Sequence, residues 1–303
     1  LSTRRFRSFA KINLGLEVTG RLPNGYHELK TLFATISVHD LIDITETKGT
    51  ISVLSDHPSV PRDETNLAQR AAVALRRLSG RKSGVAIFIH KRIAVGGGLG
   101  GGSSNAATVL RALDRMWSLG LGPAGLREIA GSLGADVPYF LVGGPALGLG
   151  RGDVVRPVDL RLRQKVLLVP GQGGVSTAQV FGRFANDTQP KKAKSRVDSL
   201  LRSAEAGGAL RLDRLRNDLD RAAIAESPAL ARTARRVGQV GRTAGALQAA
   251  MSGSGSSFFL LFDRIASRAR AAELFREDGI RSLPCSFVSR RSYESRFEIV
   301  RPG

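Results

Sequence analysis

Ten consecutive residues, Gly96 to Asn105, read Gly-Gly-Gly-Leu-Gly-Gly-Gly-Ser-Ser-Asn. Six glycines around Leu99 leave most of the stretch without Cβ atoms, so successive backbone N–H groups can turn inward and approach an anion closely. Upstream, Val85, Ile87 and Ile89 alternate with Ala86, Phe88 and His90, which predicts a strand. Downstream, Ala106, Leu110, Leu113 and Trp117 recur at helical spacing. The glycines are therefore expected to join a strand to a helix N-terminus, with Ser103, Ser104 and Asn105 as capping residue types. Unpaired N–H groups and the helix dipole at such an end favour phosphate. A flexible linker would not ordinarily lie between a patterned strand and a capped amphipathic helix.

What the loop lacks narrows its kind. Gly96-x-Gly98-x-x-Gly101 matches the dinucleotide fingerprint formally, yet nothing from Arg115 to Arg127 is acidic, so the expected ribose partner is missing. A Walker loop ends in Gly-Lys-Ser/Thr, and here no lysine follows the glycines until Lys165. An ATP loop of a third kind remains.

Other residues able to do chemistry are scattered along the chain. Strand periodicity over Ala10 to Val18 sets Ile12, Leu14, Leu16 and Val18 on one face and Lys11, Asn13, Gly15 and Glu17 on the other. Lys11 and Asn13 thus stand side by side, by local pattern on a solvated face. Tyr26 and His27 follow the turn Leu22-Pro23-Asn24-Gly25 and could stack on and hydrogen-bond a base, although their default is an exposed turn edge. Asp136, ahead of Val137-Pro138, reads locally as a helix N-cap. A second glycine-serine turn, Ser252 to Ser256, lies between predicted strands Leu247–Met251 and Ser257–Phe262.

The elements that must position these groups alternate between strand and helix. Strands are expected at Leu32–Val38, Leu41–Thr45, Thr50–Leu54, Lys165–Val169 and near Cys285–Ser289. Helices are expected from Asn66 through Leu78, at Leu126–Leu133, Ala178–Phe184, Leu210–Ala225 and Pro228–Val237, and from Ile265 to Phe275. This order suggests an open βαβ-type sandwich around the second glycine-serine turn, in place of a hairpin. Glycines from Gly143 to Gly152 close a first domain, and 186–196 is a polar, lysine-rich loop.

With 303 residues, 42% hydrophobic and 24% charged, the chain is long enough for two domains with a sizeable core. Forty-six basic against 26 acidic residues give +20, which raises nucleic-acid binding as a rival class. The arginines are spread over many elements, and three tyrosines and one tryptophan offer little for base stacking, so the charge reads as solvated surface. Cys285 is the only cysteine, which excludes an internal disulfide and fits a reducing cytoplasm. No apolar run approaches a membrane span.

Three separated stretches, Ala10-Lys11-Ile12-Asn13-Leu14, Gly96 to Ala107 and Met251 to Ser256, together resemble the GHMP kinases. Gly25-Tyr26-His27-Glu28-Leu29, Gly134-Ala135-Asp136-Val137-Pro138, Ser176 to Phe181 and Asn217-Asp218-Leu219 are similar to a branch acting on a cytidine-diphosphate-linked alcohol. The resemblance implies a two-domain α+β fold: residues 1–157 like ribosomal protein S5 domain 2, and 158–303 ferredoxin-like. It implies ATP and Mg2+ as cofactors, a small-molecule substrate, and neither a membrane nor a specific nucleic-acid partner. It also reverses two local readings, making Asp136 the base that takes the hydroxyl proton and Lys11 its partner. Ala94, Val95, Gly96, Gly97, Gly98, Leu99, Gly100, Gly101, Gly102, Ser103 and Ser104 would bind ATP, Ser104 nearest the magnesium. Tyr26 and Phe181 would sandwich cytosine while His27 reads its edge and Asn13 positions substrate. Ala94 stands where the family usually has proline, which leaves the loop entrance less stiff.

Overall fold

The long alternating run at the chain start forms β1 (Thr3–Arg21), which turns back into β2 (His27–Thr47). The computed structural model describes residues 2–171, 173, 175–187, 194–208 and 210–299. β3 (Ser52–Ser55), α1 (Leu67–Ser79), β4 (Gly84–His90), α2 (Gly101–Met116), α3 (Gly122–Leu133), α4 (Val137–Val142), β5 (Ala146–Gly150) and β6 (Val154–Pro157) follow. One sheet runs in the order β11-β1-β2-β4-β3, where β11 (Glu298–Ile299) is the last strand among the described residues; β5 pairs with β2 and carries β6. Glu298 and Ile299 therefore return to the sheet that β1 begins. One face of this sheet buries Ile42, Ile44, Ile87 and Ile89 against Ala71 and Leu75 of α1 and Val109, Leu110 and Leu113 of α2.

The remaining elements are β7 (Lys165–Val169), α5 (Thr177–Asp187), α6 (Arg196–Glu205), α7 (Asp220–Glu226), α8 (Pro228–Ala244), β8 (Gln248–Met251), β9 (Phe258–Phe262), α9 (Ile265–Glu277), β10 (Leu283–Ser286) and α10 (Arg290–Ser295). Their strands form an antiparallel sheet, β10-β7-β9-β8, the order of a ferredoxin-like domain. Period-two alternation divides its residues between two cores. Val166, Leu168, Phe259 and Leu261 pack against Ile12, Leu14, Leu32 and Ile36 of the first sheet. Leu167, Val169, Leu260 and Phe262 pack beneath Val237 and Val240 of α8 and Phe275 of α9. β1 is thus enclosed between the two halves, and the polar face of its middle is buried as well: Lys11 is 3% and Asn13 2% exposed.

Several expectations change on folding. The segments Leu32–Val38 and Leu41–Thr45 belong to one strand, because β1 and β2 stay paired through a register shift at Phe9/Ala10. β8 and β9 pair antiparallel, Met251 opposite Phe258, so the second glycine-serine turn is a hairpin and the βαβ expectation is corrected. The helix read from Leu210 to Ala225 is broken. A 3₁₀ turn at Leu212–Arg214 gives way to extended backbone at Leu215, and Leu16 forms an isolated bridge with Asn217 before α7 begins. α2 starts at Gly101 with Gly100 as its cap and no side-chain capping bond, so Ser104 and Asn105 lie inside the helix, both buried. Asn66 does cap α1, accepting from the Ala68 N–H. Most of the 186–196 segment, residues 188–193, lies outside the described residues. No helix among those described is long and apolar enough to cross a membrane.

Burial at the start of α7 leaves one carboxylate in a costly place. Asp220 has a buried oxygen with no partner among the described residues, and burial together with the neighbouring Asp218 charge pushes its pKa up to about 7. A carboxyl raised above its unfolded value takes up protons on folding, so its contribution to stability is lost as pH rises from about 4 to 7. Asp220→Asn is therefore expected to stabilise the fold by about 1 kcal/mol at pH 8 and to have little effect at pH 5. Thermal melts of both proteins at the two pH values check this.

Candidate active site

The glycine stretch is packed against the second glycine-serine turn, and this contact dictates its composition. Gly98 has φ +73°, and a Cβ there would lie 2.1 Å from the Ser252 carbonyl oxygen. At Gly100, φ +68°, a Cβ would meet the Phe140 ring at 2.8 Å and Lys11 Cγ at 3.2 Å. The Ser257 N–H donates to the Gly97 carbonyl at 3.1 Å, and the Ser252 hydroxyl donates to the Gly98 carbonyl at 3.0 Å. Leu99 is buried in the core between the sheets, and its carbonyl accepts from the Lys11 N–H at 3.1 Å. Carbonyls are thereby drawn inward to the protein, while the uncapped N-terminus of α2 is left at the loop's end. That arrangement fits a polyphosphate.

A buried carboxylate braces the entrance to the loop. Asp40 is fully enclosed, pairs with the Lys91 ammonium, and accepts from the backbone N–H groups of Arg92 at 2.7 Å and Ile93 at 2.8 Å. Asn105 Nδ2 donates to it as well, at 2.9 Å, tying α2 to the same point. With this brace, the entrance at Ala94 is held from Ile93 rather than by a proline ring. Sequence reasoning missed Asp40, whose only signal is its place inside an otherwise apolar strand pair.

Ser104 is enclosed at 0% exposure; its hydroxyl donates to the Phe9 carbonyl at 2.6 Å and accepts from the Ser8 hydroxyl at 2.7 Å. These two bonds join α2 to β1 and leave one lone pair of the Ser104 hydroxyl. Ser103, one residue earlier, is partly exposed.

Lys11 and Asp136 come from elements far apart in sequence and meet beside the loop. The Lys11 ammonium donates to Asn13 Oδ1 at 2.7 Å and lies 3.4 Å from Asp136 Oδ2. It also sits 5.5 Å from the centre of the Phe33 ring. Asn13 is fixed in turn, its Nδ2 donating to Thr31 Oγ1 at 2.8 Å. Asp136 occupies the position before α4 but makes no capping hydrogen bond, and its side chain is 33% exposed. A buried ammonium facing a half-open carboxylate can neutralise a transferred anion and leave the carboxylate free to accept a proton. Gly253 borders the same place, since a Cβ on it would lie 3.4 Å from Lys11 Nζ and Asn13 Oδ1. Asn217 holds that turn, donating from Nδ2 to the carbonyls of Met251 at 3.1 Å and Gly253 at 2.7 Å.

The aromatic residues gather differently from the expected sandwich. His27, first in β2, stacks on Phe181 of α5 with ring centres 5.1 Å apart at 26°, and meets Phe184 edge-on at 6.0 Å. Tyr26 is 60% exposed, with the Arg151 guanidinium 5.5 Å from its ring centre. A base entering here must part the His27–Phe181 stack or use the ring faces left outside it. Burial, and secondarily the charge of Arg21, lowers the pKa of His27, so near neutral pH its imidazole has one donor and one acceptor to offer.

A cavity of about 1020 Å³ opens from Ala94, Val95 and Gly96 toward His57, Lys91 and Arg92, with Pro170, Gly171 and Pro284 on the far wall. Its connection to the glycine loop gives room for the rest of a nucleotide.

The model of the GHMP kinases N terminal domain matches residues 66–144, which carry α1, the glycine loop and Asp136. A 4-diphosphocytidyl-2-C-methyl-D-erythritol kinase of Chlorobium chlorochromatii is 38% identical over 283 residues, covering 93% of this chain and 93% of that protein. One of Gloeobacter violaceus is 38% identical over 292 residues and covers 94% of each. Among solved structures, a crystal structure of 4-(cytidine 5'-diphospho)-2C-methyl-D-erythritol kinase superposes with TM-score 0.76 at 34% identity, covering 93% of this chain and 98% of that one. A homoserine kinase from Cytophaga hutchinsonii shares the fold at TM-score 0.68 and 18% identity, over 96% of each chain.

Proposed function

The chain belongs to the GHMP kinases, in the 4-diphosphocytidyl-2-C-methyl-D-erythritol kinase family, and from that premise we propose that it phosphorylates the 2-hydroxyl of 4-diphosphocytidyl-2-C-methyl-D-erythritol with ATP. This is a step of the non-mevalonate route to isoprenoid precursors. The juxtaposition that carries the reading is Lys11 beside Asp136 at the mouth of a glycine loop built for phosphate. Within it, Asp136 Oδ2 takes the proton of the attacking hydroxyl, because an alcohol is a poor nucleophile at neutral pH. The Lys11 ammonium, aimed by Asn13, meets the negative charge on the phosphoryl oxygens. ATP supplies the phosphoryl group when bound, its phosphates along Gly96–Ser103 and its nucleoside in the adjoining cavity. Mg2+ enters this reading as the counter-ion of the ATP phosphates, with Ser104 the residue proposed nearest it, and no step rests on a protein-held metal. A cytoplasmic location accords with the single cysteine, Cys285, whose thiol is buried and pushed up to about 12.

The cytidine end of the substrate is placed at Tyr26, His27 and Phe181. Base–aromatic stacking is worth about 1–3 kcal/mol per ring, so Tyr26→Ala and Phe181→Ala should each raise KM for the cytidine substrate about 5- to 150-fold. His27→Ala should blur discrimination of cytidine from uridine, because the edge and not the face distinguishes them. Steady-state kinetics with both nucleotides test this. Native KM and native base preference in all three variants would remove the base from this place.

A further inference from the structure

Among the described residues, no hydrogen bond fixes the Asp136 carboxylate: it makes no capping bond and meets Lys11 only across 3.4 Å. Its place is therefore set by the seating of α4, the six-residue helix it precedes. A helix that short does not hold itself together in water, so its position comes from what it is packed against.

β2 supplies that seat. Thr35 lies directly opposite Lys11 in the β1–β2 register, so the two side chains leave the same face of the sheet. Thr35 and Tyr139, the third residue of α4, are both fully enclosed. The Tyr139 hydroxyl donates to the Gly144 carbonyl at 2.8 Å, and the Gly144 N–H donates to Thr35 Oγ1 at 2.9 Å. Since the one phenolic proton goes to Gly144, the 2.7 Å contact between Thr35 Oγ1 and Tyr139 Oη has Thr35 as its donor. Three bonds thus close a ring through β2, the body of α4 and the residue just past its C-cap, Gly143. Burial pushes the Tyr139 pKa up, so the phenol keeps its proton across the neutral range. Tyr139 also reaches Lys11 by a second route: its ring packs on Phe33 with centres 4.6 Å apart, and the Lys11 ammonium lies 5.5 Å from the Phe33 centre.

Resting on the reading of Asp136 as the base, we infer that the ring of Thr35, Tyr139 and the Gly144 backbone sets the distance between Lys11 and Asp136, which makes Thr35 and Tyr139 positioning residues for phosphoryl transfer. Lys11 and Thr35 are fixed to each other by the sheet, and Asp136 is fixed to Tyr139 by the helix. The ring is the joint between those two rigid pieces. A fully satisfied buried network of this kind specifies one arrangement, and a broken one leaves polar groups unpaired that draw the helix elsewhere.

The test is steady-state kinetics with the cytidine substrate on the full chain and on Tyr139→Phe, Thr35→Val and Thr35→Ser, each at a temperature where its melt shows it folded. Tyr139→Phe and Thr35→Val keep the shape and remove one hydroxyl. Each should lower kcat about tenfold, since a shift of about 1 Å at reacting groups costs on the order of 10² and the open ring frees α4 by a fraction of that. KM for ATP and for the alcohol should stay within about twofold of native. Thr35→Ser, which keeps the hydroxyl, should hold kcat within about twofold of native. The double variant should lose no more than either single one, because one broken bond already opens the ring. In an Asp136→Asn background, Tyr139→Phe should leave residual turnover unchanged, for no base is left to position. Leu75→Ala, in the same core but on α1, should lower the melting temperature without this loss of kcat. Should one hydroxyl variant fail to fold, the other carries the test. Native kcat in either folded variant, an equal loss in Leu75→Ala or Thr35→Ser, losses that multiply in the double variant, or the same loss repeated in the Asp136→Asn background overturns the positioning role while leaving the kinase reading intact. Unfolding of both hydroxyl variants does so too, because the ring is then a prop of the fold alone. Native turnover in Asp136→Asn refutes the base assignment itself, and the positioning role with it.

Discussion

Asp136→Asn is expected to lower kcat by about 10²- to 10⁴-fold, the range for removing a positioned general base. Stability should change little. The side chain makes no capping bond to α4, and its contact with Lys11 at 3.4 Å is open enough to water to contribute at most about 1 kcal/mol. The amide keeps the shape but cannot take the hydroxyl proton. KM for ATP should stay near native, since Asp136 lies at the acceptor end of the loop. Steady-state turnover together with a thermal melt checks the expectation. Native turnover in a normally folded variant would make Asp136 a residue of the α4 entrance and nothing more.

Gly98→Ala is expected to be the most damaging single change in the loop. A Cβ at 2.1 Å from the Ser252 carbonyl and 2.9 Å from that of Gly255 cannot be accommodated while the loop and the hairpin turn remain in contact. Non-glycine residues also pay about 1–2 kcal/mol at positive φ. The loop must therefore move, and a displacement of about 1 Å at phosphates or reacting groups costs on the order of 10² in rate. Turnover should fall at least that far, with a lowered melting temperature. Gly102→Ala supplies the contrast. Its φ is not in the left-handed region, and a Cβ would find only Leu67 Cδ1, at 3.9 Å, so near-native behaviour is expected. Equal losses in both variants would mean that flexibility, and not close approach, is what the glycines provide.

How much of this could be read from residues alone depended on the range of the interaction. The strand into the loop and the Asn66 cap are local patterns and appear where periodicity and residue type place them; the helix out of the loop appears as well, but begins at Gly101, ahead of the expected caps. Lys11 is the instructive failure of local reading. Alternation sets it on the face opposite the aliphatic residues, which for an outer strand means water, but β1 is enclosed on both faces once the second domain docks. Its meeting with Asp136 joins β1 to the entrance of α4, a pairing that periodicity cannot carry and that the family resemblance supplied. As a helix cap, Ser104 failed for the opposite reason. Its residue type suits a phosphate loop, yet starting α2 at Gly101 rotates the hydroxyl onto the Phe9 carbonyl, and a one-turn difference in where a helix begins is beyond residue preference. Asp40 and Asn217 work through backbone atoms of distant segments and leave no periodic trace.

The most direct measurement is incubation of the purified chain with ATP, Mg2+ and either 4-diphosphocytidyl-2-C-methyl-D-erythritol or methylerythritol phosphate lacking the cytidine group, with the products followed by phosphorus NMR. The expected result is one new phosphomonoester on the 2-hydroxyl carbon of the cytidine substrate, formed in step with ADP, and none on the cytidine-free alcohol. Equal phosphorylation of the two alcohols, or ADP release without a new phosphomonoester, would contradict it.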